Sequence, residues 1–334
     1  MLLATLLAAA APTPGELKTF NDWIVGCDNG RACQAVALLP EDWSDGALLA
    51  IARGPEANAT PRIWVTLRTE GAPSPSVLRI DDRRFPLRLD AGSQELRVVD
   101  AAAAAAMLGQ ATRIEALVTE GTPRGFPVSV RGSAAALLYI DEQQRRLGTT
   151  SALVRRGRVA AVPAPPALPV VAGARPARAR GLARLGPERA AQLRARNASC
   201  DTEPTFDPKP EAHKLDDRTT LFIIPCWLAA YNSGSLVMVA ARPDASDLKP
   251  ARFDFLESAA ETTKPGDPVD GAYWDEETGR LATYFKGRGL GDCGVGQTYA
   301  WDGAMFRLVE QIAMGECRGS TDYITTWRAR VVTR

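Results

Sequence analysis

The stretch ETGRLATYFKGRGLGDCGVGQTYAWDGAMFRLVEQ, residues 277–311, decides how the chain folds. Thr278-Gly279 and Asp302-Gly303 are tight-turn dipeptides. The runs around them, Arg280 to Lys286, Thr298 to Trp301 and Ala304 to Gln311, suit half-buried strands. Glycine supplies the backbone a tight hairpin needs, so such runs beside such turns predict antiparallel pairing. The same reading extends to strands at Gly271 to Trp274 and Tyr323 to Val332. Upstream lie a buried run, Leu221 to Ile224, which Pro225 interrupts, then Leu236 to Ala241 and Ala251 to Leu256, with a loop from Thr262 to Val269. Residues 199–334 are thus expected to form an antiparallel β meander or sandwich.

Working outward, residues 16–159 read as a β domain with two helices. Phe20 to Leu39 is a hairpin around CDNGRAC, with Asn29-Gly30 offering left-handed backbone at the turn. Further strands are expected at Ile63 to Arg68, Ser76 to Ile80, Phe85 to Leu89, Ile114 to Glu120 and Phe126 to Val130. Asp100 is placed to cap a helix from Ala101 to Leu108 that Gly109 ends. A second helix, Ala134 to Leu147, carries Leu137, Leu138, Ile140 and Leu147 on one side. Asp141, Glu142, Gln143, Arg145 and Arg146 form its polar face. No strand leads into a glycine-rich phosphate loop, so the expected class is α+β, predominantly antiparallel β, rather than doubly wound.

Residues 160–198, rich in Pro, Ala and Arg, read as a semi-extended linker, with a short helix from Pro187 to Arg196. From Arg155 to Arg196 there are ten arginines, one glutamate and no lysine or aspartate, a local charge of 10 − 1 = +9. The whole chain carries only +1, so the rest sums to about −8. Segregation of this kind suits either a solvated tether or attraction to an anionic glycan or lipid surface. The small net charge argues against a nucleic-acid partner. Met1 to Ala11 is apolar but shorter than the about 20 residues a spanning helix needs. It fits the core of a secretory signal, residues 1–15, although a basic start is missing. No later run reaches spanning length, so no transmembrane helix is expected in the mature chain.

Six cysteines, Cys27, Cys33, Cys200, Cys226, Cys293 and Cys317, fall in three couples. Sequence alone leaves the pairing open, but joining the members of each couple closes three short loops. Persistent disulfides belong to oxidising compartments, so a periplasmic or secreted location is expected. A metal site is not: there is no C-x-x-C, and the one histidine, His213, has no neighbouring thiolate. No cofactor is expected either.

The loop KGRGLGDCG, Lys286 to Gly294, is the strongest binding candidate. Its glycines bare backbone N–H groups beside Lys286 and Arg288, chemistry that suits an anion. The competing reading is a tight loop passing a Cys293 to Cys317 bridge, with Asp292 bonding its backbone. Trp274 and Trp301 adjoin turns and are expected to add flat stacking surface. Catalytic residues are not nominated. His213 lies in a polar stretch, no G-x-S-x-G or H-E-x-x-H occurs, and adjacent Asp141 and Glu142 do not face each other. A noncatalytic binding or structural module of the cell envelope is the expectation. A hydrolase acting on an envelope glycan or peptide is the alternative.

Three blocks, FNDWIVGCDNGRAC at Phe20–Cys33, ALLYIDEQQRRLGT at Ala136–Thr149, and KGRGLGDCG with the later YAWDG and CRG, resemble a family of exported bacterial proteins, domain of unknown function 1176. The first block is also similar, over a few dozen residues, to the invasion-associated locus B family. The first resemblance implies export to the periplasm and bridges at Cys27/Cys33, Cys200/Cys226 and Cys293/Cys317. It implies no activity, cofactor or catalytic residue.

Overall fold

A computed structural model describes residues 11–41, 43, 46–69, 71, 73–93, 95–119, 124–174, 181–201, 203–258 and 264–333. Most of the expected signal segment, Arg175, Arg178 and Arg180 of the linker, and Thr262 of the expected loop lie outside the described residues. The N-terminal strands are β1 (Lys18–Phe20), β2 (Trp23–Cys27), β3 (Cys33–Ala37), β4 (Ala47–Arg53), β5 (Arg62–Leu67), β6 (Val77–Ile80), β7 (Arg83–Leu89), β8 (Leu96–Val98), β9 (Ile114–Val118) and β10 (Arg124–Val128). They form one antiparallel sheet in the order β1-β2-β3-β4-β5-β8-β7-β6-β9-β10. Helices α1 (Ala101–Leu108) and α2 (Ser133–Gln143) pack on its inner face. The inner core includes Trp23, Val25, Ala35, Leu49, Ile63, Leu78, Phe85, Ala104 and Leu137.

Strands β2 to β5 are buried on their other face as well. Ile24, Val36, Ala50 and Trp64 meet Cys293, Met314 and Ile324 from the C-terminal half. Burial on both sides removes the usual alternation and leaves nearly continuous apolar runs. For this reason β4, ALLAIAR, was not among the expected strands. The hairpin turn also differs in detail: its left-handed residue is Arg31, at φ 66°, rather than Asn29 or Gly30. Asp28 Oδ1 accepts the N–H groups of Gly30 and Ala32 at 2.8 and 2.9 Å, and these bonds hold the turn.

Helix α2 ends at Gln143, short of the expected Leu147. Its polar face is only partly solvated: Glu142, Gln143 and Arg145 are exposed as expected, but Asp141 and Arg146 are fully buried. Arg53 donates to Asp141 at 2.9 Å and to Gln144 at 2.7 Å, and Asp141 also accepts the N–H groups of Leu153 and Val154. Arg146 donates to the carbonyls of Glu56 and Ala57. These tertiary bonds take the chain out of the helix at Gln144 and satisfy groups that would otherwise be costly to bury.

Beyond the helices, β11 (Val170–Gly173) pairs in parallel with β22 (Arg330–Thr333), so part of the expected linker is ordered against the C-terminus. Helix α3 (Pro187–Ala195) follows. Strands β12 (Glu211–Lys214), β13 (Thr220–Leu228), β14 (Ser233–Ala240) and β15 (Lys249–Pro250) form one sheet, with β16 (Val269–Asp270) also pairing β14. Pro225 does not end β13; a register shift beside it lets the strand continue to Leu228. The expected strand Ala251 to Leu256 is reduced to a bridge between Phe253 and Phe306, because the Phe253 ring turns inward onto Tyr299 and Phe306.

The last sheet is the meander β17 (Tyr273–Asp275), β18 (Arg280–Lys286), β19 (Gly294–Trp301), β20 (Phe306–Met314) and β21 (Ile324–Arg328). It packs on the β12–β15 sheet through Leu221, Ile223, Val237, Leu281, Tyr299, Phe306 and Leu308. The opposite face of the β12–β15 sheet is covered by Ala183, Ala190 and Cys200. The protein is thus predominantly antiparallel β with a few helices. Among the described residues, no helix is long and apolar enough to cross a membrane. Disulfides join Cys27 to Cys33, Cys200 to Cys226 and Cys293 to Cys317, and no described cysteine is free.

Candidate functional site

The loop between β18 and β19 is held at every turn. Lys286 and Gly294 close it as the last strand pair. Gly294 sits at φ 141°, and a Cβ there would come within 2.0 Å of the Phe285 carbonyl oxygen, so only glycine fits. Asn232 clamps the loop from the neighbouring sheet, donating to the Lys286 carbonyl at 2.8 Å and accepting the Lys286 N–H at 2.9 Å. The bridge from Cys293 to Cys317 ties it to the loop after β20.

Arg288 and Asp292, both candidates from the sequence, bind each other. Arg288 Nε donates to Oδ1 at 2.8 Å and Nη2 to Oδ2 at 2.5 Å. Asp292 is completely buried and accepts the Gly319 N–H at 2.7 Å, a bond to the loop after β20. The Arg288 guanidinium holds the Asp292 carboxyl below the usual carboxylate range, against the effect of burial, with help from Gly319. Much of the hydrogen-bonding capacity of Arg288 is therefore spent inside the protein. Lys286 is half-buried and makes no ion pair with a described residue.

Trp274 and Trp301 do not join this loop. Both are buried in the core between the two C-terminal sheets. The Trp301 indole N–H donates to Asp216 Oδ2 at 2.7 Å, and its ring meets Phe306 edge-on at 5.2 Å. Trp274 lies 6.2 Å from the His213 ring, and its own N–H finds no partner among the described residues. Turn-adjacent position in sequence did not translate into exposure, because both side chains point from their strands toward the facing sheet.

Two residues outside the set of site candidates sit at the loop surface instead. Leu290 is 62% exposed, and Tyr231, 45% exposed, lies alongside Gly289, where a Cβ would stand 3.5 Å from its ring. Tyr231 belongs to the β13–β14 hairpin that also supplies Asn232, so the clamp brings the ring to the loop. The turn residues Asn232-Ser233-Gly234 before Leu236 are the local signal for this hairpin.

His213 Nδ1 is 2.7 Å from Glu276 Oε1 and Nε2 is 3.3 Å from Glu211 Oε2, so carboxylates occupy both ring nitrogens. Asp141, one of the adjacent acids, is consumed by Arg53 and two backbone N–H groups. No group of His, Cys, Asp and Glu suited to a metal ion occurs among the described residues.

Arginines also fasten the C-terminal half to the N-terminal sheet. Arg318 donates to the carbonyls of Leu39 and Asn21 and, at 2.5 Å, to Asp22 Oδ1. Arg328 donates to Asp28 Oδ2, while Asn29 bonds the Arg328 backbone in both directions.

The family model described as "Protein of unknown function (DUF1176)" matches residues 17–334. The uncharacterized protein YpfG of Escherichia coli (strain K12) is 28% identical over 350 residues, covering 98% of this chain and 96% of that relative. No solved structure matches the chain.

Proposed function

The chain belongs to the DUF1176 family, and from that premise we propose that it is a noncatalytic recognition module of the cell envelope, working in the periplasm. Three disulfides support an oxidising compartment. In this reading residues 16–159 and 199–334 are its two domains, joined by the basic segment 160–198. Its recognition surface is the Lys286–Gly294 loop, with Lys286, Arg288, Leu290 and Tyr231 presented together, and its partner is an envelope protein bearing acidic groups beside an apolar contact.

The observation that carries this reading is an exposed leucine on a loop held by a bridge, a side-chain clamp and a buried ion pair, with an exposed tyrosine of the β13–β14 hairpin alongside it. Apolar and aromatic groups on a rigid frame lose little entropy on binding and are the usual anchors of an interface. Lys286 and the outer edge of Arg288 add positive charge at the rim. A glycan or peptide hydrolase would instead need two carboxyl groups facing each other across a cleft.

The test is capture from native envelope extract by the oxidised protein, set against a Tyr231→Ser, Lys286→Glu variant. Arg288 is left in place because its removal would strand the buried Asp292 carboxylate. A protein held by the natural surface, lost with the variant and released by salt supports the reading. Equal capture by both baits moves the interface elsewhere, and capture of nothing by either removes the case for recognition.

A further inference from the structure

A cavity of about 360 Å³ opens at the junction of the N-terminal sheet with β21, away from the Lys286–Gly294 loop. Gln34, Ala52 and Arg62 are paired neighbours across β3, β4 and β5. They share the outward face that carries Val36, Ala50 and Trp64 into the junction, but at this end the apolar contact gives out. Ala52 is short between two long side chains and so leaves space. Thr325 and Arg328 of β21 form the facing wall, and Thr60 and Asp28 complete the rim.

The charges in this lining do not balance. Arg53 contributes to the floor, but Asp141 already neutralises it at 2.9 Å. Asp28 is matched by Arg328, and its other oxygen is filled by the N–H groups of Gly30 and Ala32. Arg62 has no acidic partner among the described residues; its guanidinium lies 5.0 Å over the Trp64 ring, which fixes its direction while leaving its donors open. One positive charge is left over. A monoanion would balance it, whereas a dianionic phosphate would leave an excess negative charge beside Asp28. The planar guanidinium also matches a carboxylate, and the threonine hydroxyls add hydrogen-bonding groups. The volume falls at the small end of the roughly 300–1,000 Å³ range of ligand sites.

We propose that this cavity binds the carboxylate of a small monoanionic organic molecule, with Arg62 as its principal ligand and Arg328, Thr60 and Thr325 around it. The site is built from both halves of the chain, so the ligand binds only the assembled protein. It does not depend on the recognition surface proposed above.

Isothermal titration of the oxidised full chain at low ionic strength, using N-acetylalanine, its methyl ester and inorganic phosphate as probes, tests this. Saturable millimolar binding of the acid is expected, with no binding of the ester and weaker binding of phosphate. Arg62→Gln should lower the affinity for the acid about tenfold, the usual consequence of losing a charged hydrogen-bond donor. Arg62 is exposed, so this variant should fold, and an unchanged melting curve verifies that. Arg88→Gln, which removes an exposed charge from β7, should leave binding unchanged. Absence of saturable binding by the acid, equal binding of the ester, tighter binding of phosphate, or full affinity in Arg62→Gln each overturns the assignment.

Discussion

Replacing Arg318 by alanine should loosen the two halves of the molecule from each other. Its side chain is only 11% exposed and donates to the Leu39 carbonyl at 2.7 Å, the Asn21 carbonyl at 3.0 Å and the Asp22 carboxylate at 2.5 Å. Removal leaves Asp22, 5% exposed, with Ser129 at 2.7 Å and Arg131 no closer than 3.9 Å. Breaking a buried pair costs about 3–5 kcal/mol, and the surviving Ser129 bond places this case at the lower end, about 3 kcal/mol. For a chain of this length that corresponds to a fall in Tm on the order of 5 °C.

The loss should also depend on pH. Burial pushes the Asp22 carboxyl up, but hydrogen bonds from Ser129 and Arg318 and the nearby positive charges outweigh it and hold the group below the usual carboxylate range. A depressed folded-state value means the carboxylate's contribution is present above the unfolded value, near pH 4, and is lost as the pH falls through the folded one. The gap between the natural protein and Arg318→Ala, followed by circular dichroism melts, should therefore be wide at neutral pH and narrow in acid. The Asp22→Asn, Arg318→Ala double variant should recover part of the loss, because it no longer strands a charge. A change within about 0.5 kcal/mol at neutral pH, the range of an ordinary surface substitution, would refute the reasoning.

Asp141→Ala should cost about 3–5 kcal/mol, because it strands the buried Arg53 guanidinium and two backbone N–H groups at once; a lower urea midpoint checks it, and an unchanged midpoint would contradict it. Gly294→Ala puts a Cβ 2.0 Å from the Phe285 carbonyl oxygen at φ 141° and should therefore deform the loop. Faster proteolysis of the Lys286–Gly294 loop than in the natural protein is the expected result, and equal resistance would count against it.

The meander is readable in the sequence because turn glycines bound its strands and β18 and β20 each keep one face wetter than the other. Ala47–Arg53 is not, since β4 is buried on both sides and lacks the period that announces a strand. The IDEQQRR run of α2 has a similar difficulty in reverse. Its charges resemble a solvated helix face, and Glu142 and Arg145 are exposed as such, but the partners of the buried Asp141 and Arg146, namely Arg53 and the carbonyls of Glu56 and Ala57, lie about ninety positions away. At the candidate site, the residue types in KGRGLGDCG are visible, but that Arg288 is committed to Asp292 depends on how the loop closes. Likewise, Trp301 faces inward because Asp216 and Phe306 receive it, and neither contact is written near Trp301 as a local pattern.

The contacts of Arg318 with Asp22 and of Arg328 with Asp28 join positions separated by 296 and 300 residues. A ribosome delivers the N-terminal strands first, and the face bearing Ile24, Val36, Ala50 and Trp64 then has no cover until Cys293, Met314 and Ile324 follow. Its completion is a late, long-range event, of the class that slows folding and leaves apolar surface open to other chains meanwhile. While that face is open, other apolar surfaces can associate with it. A chain truncated before Cys293 would carry that sticky face permanently, however well its first ten strands had paired.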